Sequence, residues 1–279
     1  MSTKLPVLMA CRNMPRPVTV MLDGEFWSPT IEDGIDHAVR FDIQVAHDIF
    51  MQKWKTKSHD KTHIAKLPYP LMWVEWRDEV RNFNVACILY SPELDYRDTD
   101  QHPDLGIGAT FLTLRDEETY PRLYPIEVNT IDTDDDGTVR RIEFGNLGNC
   151  ELDDRDNLEK VCHYYLFTVL TALGLINCKN VHTAETGRIN VKRSGAEKRR
   201  GELAKTIRYR TIILPGNGTE SDGKGGHRAT ALHRVRGHFK TFTAERPLLG
   251  QHVGTYWWGW QVRGKAENGI VISDYKVGA

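Results

Sequence analysis

The sequence predicts an α+β fold, with mixed but mostly antiparallel strands and hairpins packed on two long helices. Three observations point there. Two stretches carry apolar residues at helical spacing, one acidic turn sits between two strand-like runs, and many further strand-like runs are bounded by turn residues. Helices and strands mixed in this way favour α+β over a doubly wound sheet.

The elements follow in order. Pro15-Arg16-Pro17 and a turn-rich opening suggest an extended lead-in. From Ile31 to about Trp54, apolar side chains at Ile31, Ile35, Val39, Ile43, Ala46 and Phe50 recur at spacings of four and three. That is the signature of an amphipathic helix, begun by Ser28 or Thr30. LPYPLMWVEW (67–76) reads as a strand entered from a tight turn, and NFNVACILY (82–90) and ATFLTL (109–114) as further strands. PIEVNTI and TVRRIEF flank an acidic turn and predict a hairpin. Asp153 or Asp154 then caps a long helix, LEKVCHYYLFTVLTALGL, apolar on most of its surface and therefore central, with Gly174 near its end.

Beyond it, GRINVKRSGAEKRRGELAK (187–205) is basic and short of apolar anchors, which predicts a loop or a solvated helix. RYRTIIL (208–214) returns to strand character, and PGNGTESDGKGGHR (215–228) reads as a mobile loop. HRVRGHFKTF, GTYWWGWQVRG and GIVISDYKV are strand-like runs that close the sequence.

The net charge of −1 conceals a split. From Lys179 onward there are 19 Lys and Arg against 8 Asp and Glu; before it there are 18 against 30. We therefore divide the chain into an acidic α+β lobe (1–178) and a basic, aromatic-rich β lobe (179–279), as two lobes or as parts of one continuous domain. Such an imbalance suggests an anion-binding face or two lobes that attract each other.

Several function classes fall away. No run approaches the roughly 20 apolar residues of a membrane helix. LPVLMAC resembles a lipoprotein cleavage site before Cys11, but its apolar run is shorter than the roughly 7–15 residues of a signal peptide, so we read the chain as unsecreted and cytoplasmic. The five cysteines, Cys11, Cys87, Cys150, Cys162 and Cys178, are scattered and form no C-x-x-C pair, which argues against a disulfide framework or a zinc site. DTDDDGTVRRIE (132–143) fits the calcium-loop pattern through Asp132, Asp134, Asp136, Gly137 and Glu143. Its flanks are strand-like where an EF-hand needs helices, and Asp-Gly between strands is a strong hairpin signal, so we read a hairpin. Glu75, Glu127 and Glu143, and the pair His59 and His63, show no metal-binding constellation. We assign no metal and no cofactor.

The strongest functional signal lies in ALHRVRGHFKTF (231–242). If 232–240 is one strand, Arg234, Arg236, His238 and Lys240 share a face at about 6.6 Å spacing, while Val235 and Phe239 point to a core. Gly237 would allow a bulge or a close backbone approach. Arginine forks and a lysine in such a row suit phosphate oxygens. The next run adds Tyr256, Trp257, Trp258 and Trp260, followed by Arg263, the ingredients of a single-strand binding platform. Against this, strand alternation would bury Trp258 and Trp260 as core residues. A catalytic alternative uses His227, His233, His238, Lys240 and Arg236 as the acid, base and cations of a metal-independent ribonuclease.

RVRGHFKTF, GTYWWGWQVRG and GIVISDYKV together resemble the C-terminal signature of a family of uncharacterised bacteriophage and prophage proteins. INVKRSGAEKRRGELAKTIRYRTIIL is similar to a segment of the same proteins, with Asn190, Arg193, Gly201 and Tyr209 in matching places, as are LPYPLMWVEW and LGLINCKNV. Gln261, before Val262-Arg263-Gly264, and the Gly-rich loop before His227 depart from the pattern. The resemblance implies a phage or prophage origin and carries over no catalytic residue.

The expectation is a phage-type accessory protein, non-enzymatic in the favoured reading, that binds single-stranded nucleic acid or another polyanion. Arg234, Arg236, His238, Lys240 and Arg263 would contact phosphates, with Tyr256 and Trp258 stacking bases. A host-protein interaction module using the same patch is the alternative, and a ribonuclease with His233, His238 and Lys240 the second.

Overall fold

The computed structural model describes residues 5–14, 19–21, 25–27, 29–55, 65–91, 107–124, 126–134, 138–146, 155–190, 199, 206–215, 231–235, 237–259, 261–263 and 265–270. Helix α1 (Pro6–Arg12) is followed by strands β1 (Thr19–Met21) and β2 (Glu25–Trp27), helix α2 (Pro29–His37), strand β3 (Val39–Asp42) and helix α3 (Gln44–Lys55). Strands β4 (Leu71–Asp78), β5 (Phe83–Tyr90), β6 (Ile107–Leu114), β7 (Arg122–Leu123), β8 (Ile126–Thr133) and β9 (Val139–Asn146) precede the longest helix, α4 (Arg155–Ile176). The remaining strands are β10 (His182–Asn190), β11 (Thr206–Ile213), β12 (Ala231–Val235), β13 (His238–Phe242), β14 (Gly254–Trp258), β15 (Gln261–Arg263) and β16 (Lys265–Ile270).

Eleven strands form one mixed sheet, in the order β10-β11-β3-β4-β5-β6-β7-β1-β2, with β8 on β6 and β9 on β8. Only the β11–β3, β3–β4 and β1–β7 pairs of this sheet are parallel. The sheet branches at β6: Ile107 and Ala109 face β8, whereas Leu112 and Thr113 face β7. The fold is thus α+β, with a mostly antiparallel mixed sheet.

The central strands are buried on both faces, which is why they read as near-continuous apolar runs. Along β4, Met72, Val74 and Trp76 join a core with Phe50 of α3 and Tyr165 and Val169 of α4. Leu71 and Trp73 point the other way, into a core with Leu8 of α1 and Ile31 and Ile35 of α2. The period of two therefore sends alternate side chains of one strand to two helix layers.

The expected pair of long helices is corrected. The stretch from Ile31 to Trp54 is not one helix: α2 spans 9 residues, α3 spans 12, and β3 lies between them. Val39 and Ile43 fit the helical spacing, but together with Phe41 they fit a period of two, and parallel pairing of β3 with β4 selects the strand. Asp42 Oδ1 then accepts from Gln44 N at 3.1 Å where α3 begins. Among the described residues, only α4, with 22 residues, is long.

Two further expectations change. Part of the opening is helical rather than extended. Leu5, at φ 51°, precedes α1, whose first residue is Pro6. The helix lacks a side-chain cap of its own; Val7 N and Leu8 N donate instead to the Glu75 carboxylate, at 2.7 and 3.2 Å. Residues 187–190, expected in a loop or solvated helix, belong to β10, which pairs with β11 along its length. The expected boundary at 178/179 falls between α4 and β10, and the main sheet continues across it through β10 and β11.

The acidic turn joins β8 and β9 in an antiparallel hairpin, as expected, with Asp134 N donating to Thr138 O at 2.9 Å. Asp136 and Gly137 lie outside the described residues. Arg140 pairs with Asp134 and Arg141 with Glu143, so two of the calcium-pattern carboxylates hold arginines. Cys11, Cys87, Cys162 and Cys178 are buried and stand outside any disulfide. Among the described residues, no helix is long and apolar enough to cross a membrane.

Candidate nucleic-acid interface

The run HRVRGHFKTF does not form the single strand expected of it. Strand β12 ends at Val235 and pairs with β15 and β16, whereas β13 begins at His238 and pairs with β14. The break falls at Gly237, where an added Cβ would lie 2.6 Å from Cζ2 of Trp257. Only glycine lets the backbone pass this close to the indole, so the close approach expected at this position is present. The alternation expected from Arg234 to Lys240 therefore holds only from His238 onward.

Strands β13 and β14 pair His238 with Trp258, Lys240 with Tyr256 and Phe242 with Gly254. Pairing and the period of two give the hairpin two faces. The inner face carries Phe239 and Trp257, whose rings meet edge-on at 4.9 Å. Trp257 is 2% exposed and belongs to the α3–α4 core. Phe239 packs on α4 at Gly174, where an added Cβ would lie 3.2 Å from its ring. Lys53 of α3 places Nζ 4.8 Å from the Phe239 centroid and 5.1 Å from that of Trp257. The rival reading, that strand alternation buries Trp258 and Trp260, does not hold for Trp258: strand phase buries Trp257 and leaves Trp258 half-buried, and Trp260 lies outside the described residues.

The turn after α4 anchors this face. Lys179 N donates to Thr255 O at 2.9 Å. Asn180 uses both ends of its amide on Trp257, donating from Nδ2 to the backbone oxygen at 2.7 Å and accepting from the backbone N–H at 2.8 Å. Gly254, at φ 125°, leaves room for the Lys179 stem, which a Cβ would meet at 3.2 Å.

The outer face brings together His238, Lys240, Phe242, Tyr256 and Trp258. Lys240 is exposed and the other four are half-buried. The Lys240 ammonium lies 4.9 Å from the Phe242 centroid and 5.6 Å from that of Trp258. Phe242 meets Tyr256 edge-on at 5.8 Å and Trp258 at 6.0 Å. Phe242, in contact with both Tyr256 and Trp258, and a cation over two of the three rings form a surface able to take a flat π-system beside a negative charge.

Of the expected site residues, the structure therefore unites His238, Lys240, Tyr256 and Trp258. His233 and Arg234 lie on β12, where the backbones of His233 and Arg263 stand opposite each other. The side chains of His233, Arg234 and Arg263, and the whole of Arg236, lie outside the described residues. Phe242 was missed as a site residue, although it follows Lys240 by two and the same alternation marks it.

Elsewhere, prominent charged groups are already engaged. Glu75 is buried and accepts from Trp73 Nε1 at 3.0 Å besides its two bonds to α1; burial, aided by Asp42, pushes its carboxyl up to about 7 against these bonds. His47 contacts Thr168 Oγ1 through Nδ1 at 3.1 Å, and burial lowers its pKa. Arg77 bonds both carboxylate oxygens of Asp116, at 2.9 and 3.1 Å. The Arg81 guanidinium lies 4.0 Å from the Tyr164 centroid and bonds buried Asp78. Among the described residues, no group of three His, Cys, Asp or Glu side chains is placed to hold a metal ion.

The chain is thus an α+β protein whose C-terminal part displays an aromatic, cationic hairpin face on a packed helix–sheet body. Comparison with family models, curated proteins and solved structures finds no match.

Proposed function

We propose that the protein binds single-stranded nucleic acid through the outer face of the β13–β14 hairpin. Bases stack on Trp258, Tyr256 and Phe242, and Lys240 neutralises a neighbouring phosphate. His238 adds a hydrogen-bonding group on the same face. Arg234, Arg236 and Arg263 extend the phosphate contacts in this reading. We also propose a phage-type, cytoplasmic accessory role, on the resemblance of the C-terminal runs.

The observation that carries the reading is the position of Lys240 over the half-buried rings of Phe242 and Trp258, because a cation beside aromatic side chains serves stacking and charge neutralisation together. Basic excess after Lys179 supports it by raising the local concentration of polyanions.

The experiment is a polarisation titration of a labelled single strand at several salt concentrations. Affinity that falls steeply with salt supports the proposal. If no oligonucleotide binds at low salt while a host protein is retained on the purified chain, the face belongs to a protein partner. Incubation with labelled RNA, with and without magnesium, separates binding from a ribonuclease that would use His238 and Lys240.

A further inference from the structure

Helices α3 and α4 and the turn between β4 and β5 enclose a hollow that no residue of the β13–β14 hairpin lines. Its volume is about 490 Å³, within the roughly 300–1,000 Å³ of sites that take small molecules.

Asp78, fully buried, fixes the turn from beneath. Its Oδ1 accepts from Val80 N at 3.0 Å and Arg81 N at 3.2 Å, and its Oδ2 from Arg81 Nη1 at 3.4 Å. The Arg81 guanidinium is thereby held 4.0 Å from the Tyr164 centroid. Val80, on the same turn, is left 69% exposed.

Apolar side chains make the walls: Met51 of α3, Val80 of the turn and Val161 of α4. Tyr164 brings a phenol and Asn157 an uncharged amide. Arg81 and Lys160 also line the hollow, and among the described residues no carboxylate does. Asp78 balances Arg81, while Lys160 adds a positive charge that no lining carboxylate offsets.

The Tyr164 hydroxyl donates to Met51 Sδ at 2.8 Å. A thioether is a weak acceptor. Burial pushes this phenol up to about 12, so it keeps its proton and remains a donor. A carboxylate oxygen is a stronger acceptor for the same proton.

We propose that this hollow binds a small carboxylic acid in its ionised form. Lys160, Arg81 and the Tyr164 hydroxyl receive the carboxylate, and Met51, Val80 and Val161 pack against its aliphatic or aromatic body. Charge complementarity selects the anion, since two cations and no carboxylate line the hollow. The apolar walls select the body, because a polar one would leave groups without partners there. The site is separate from the hairpin face and does not depend on the ligand of that face.

The probes are octanoate, octanol and octylamine, which share a body and differ in the charge of one end. Binding to the full chain is followed by saturation transfer from the protein to the probe in NMR. The wild type is expected to bind octanoate at least about tenfold more tightly than octanol, the scale of one hydrogen bond to a charged group, and octylamine least of all. Lys160→Met keeps the stem of an exposed side chain and removes its charge, and is expected to lose most of that preference. Val80→Ser, on the exposed turn, is expected to weaken octanoate and octanol alike. Lys240→Ala is expected to change neither.

No binding of octanoate by the wild type, or equal binding of the three probes, overturns the proposal. So does a preference for octanoate that survives Lys160→Met, or binding that Val80→Ser leaves intact. Loss of octanoate binding in Lys240→Ala would move the anion to the hairpin face and overturn it as well. The nucleic-acid reading of that face is decided apart from these outcomes, by the oligonucleotide titration.

Discussion

Asn180 and Trp257 meet as two strands would. The asparagine side chain supplies an acceptor to the tryptophan N–H and a donor to its carbonyl, both within 2.8 Å. One amide thus fastens the aromatic hairpin to the end of α4, 77 residues away in sequence.

Replacing Asn180 by Ala leaves the backbone N–H and carbonyl of a buried tryptophan without these partners. The expected cost is about 1–3 kcal/mol, read from urea unfolding. Hydrogen exchange should accelerate across 254–258 before it does in β4 and β5. Oligonucleotide affinity should weaken with it, since the outer face depends on the same strand. Unchanged exchange in β14 would show that the anchor lies elsewhere.

Lys240→Ala and Trp258→Ala should weaken binding in different ways. Loss of one phosphate contact lowers the slope of log affinity against log salt by about 0.7 for a single strand. Loss of one stacking surface costs roughly 1–3 kcal/mol and leaves the slope unchanged. Identical salt slopes for Lys240→Ala and wild type would remove Lys240 from the phosphate path.

Gly237→Ala tests the crossing over Trp257. A methyl 2.6 Å from Cζ2 forces the indole or the backbone to move. Overpacking of this kind costs about 1–3 kcal/mol. Tryptophan fluorescence should report a displaced Trp257 along with a lower melting temperature.

Glu75 makes stability depend on pH. Its carboxyl titrates at about 7 in the fold against an ordinary value of 4.5, so the folded chain holds this proton more tightly than the unfolded one. That contribution is fully present below 4.5 and is lost as pH rises through about 7. Unfolding titrations of wild type and Glu75→Gln should therefore diverge between these values, the wild type losing stability with rising pH relative to the variant. Parallel pH profiles would mean that the three N–H donors hold the carboxylate ionised throughout.

Much of the fold was legible because it rests on local pattern. Strands β4, β5 and β6 appear close to where their apolar runs suggested, and the β8–β9 hairpin follows from a turn signal between strand-like flanks. Helix α4 is marked by apolar residues over most of its surface. Four of the five side chains of the outer face were legible for the same reason: His238 and Lys240 share a face because they are two apart, and so do Tyr256 and Trp258.

The remaining features depended on partners distant in sequence. Val39 and Ile43 suit helix and strand alike, and β4 decided between them by pairing. Helix α1 carries no cap of its own and takes one from Glu75. The phase that buries Trp257 and not Trp258 came from packing against Phe239 and α4.

By itself, the sequence determined which segments are apolar, with what period, and where basic and aromatic residues gather. Those properties come from neighbours along the chain and survive any arrangement of the rest. Tertiary structure alone decided that β12 and β13 part at Gly237 and that Trp257, not Trp258, turns into the core. The reason is steric: the Trp257 ring, contributed from the paired strand further along the chain, fills the space that a Cβ at position 237 would need.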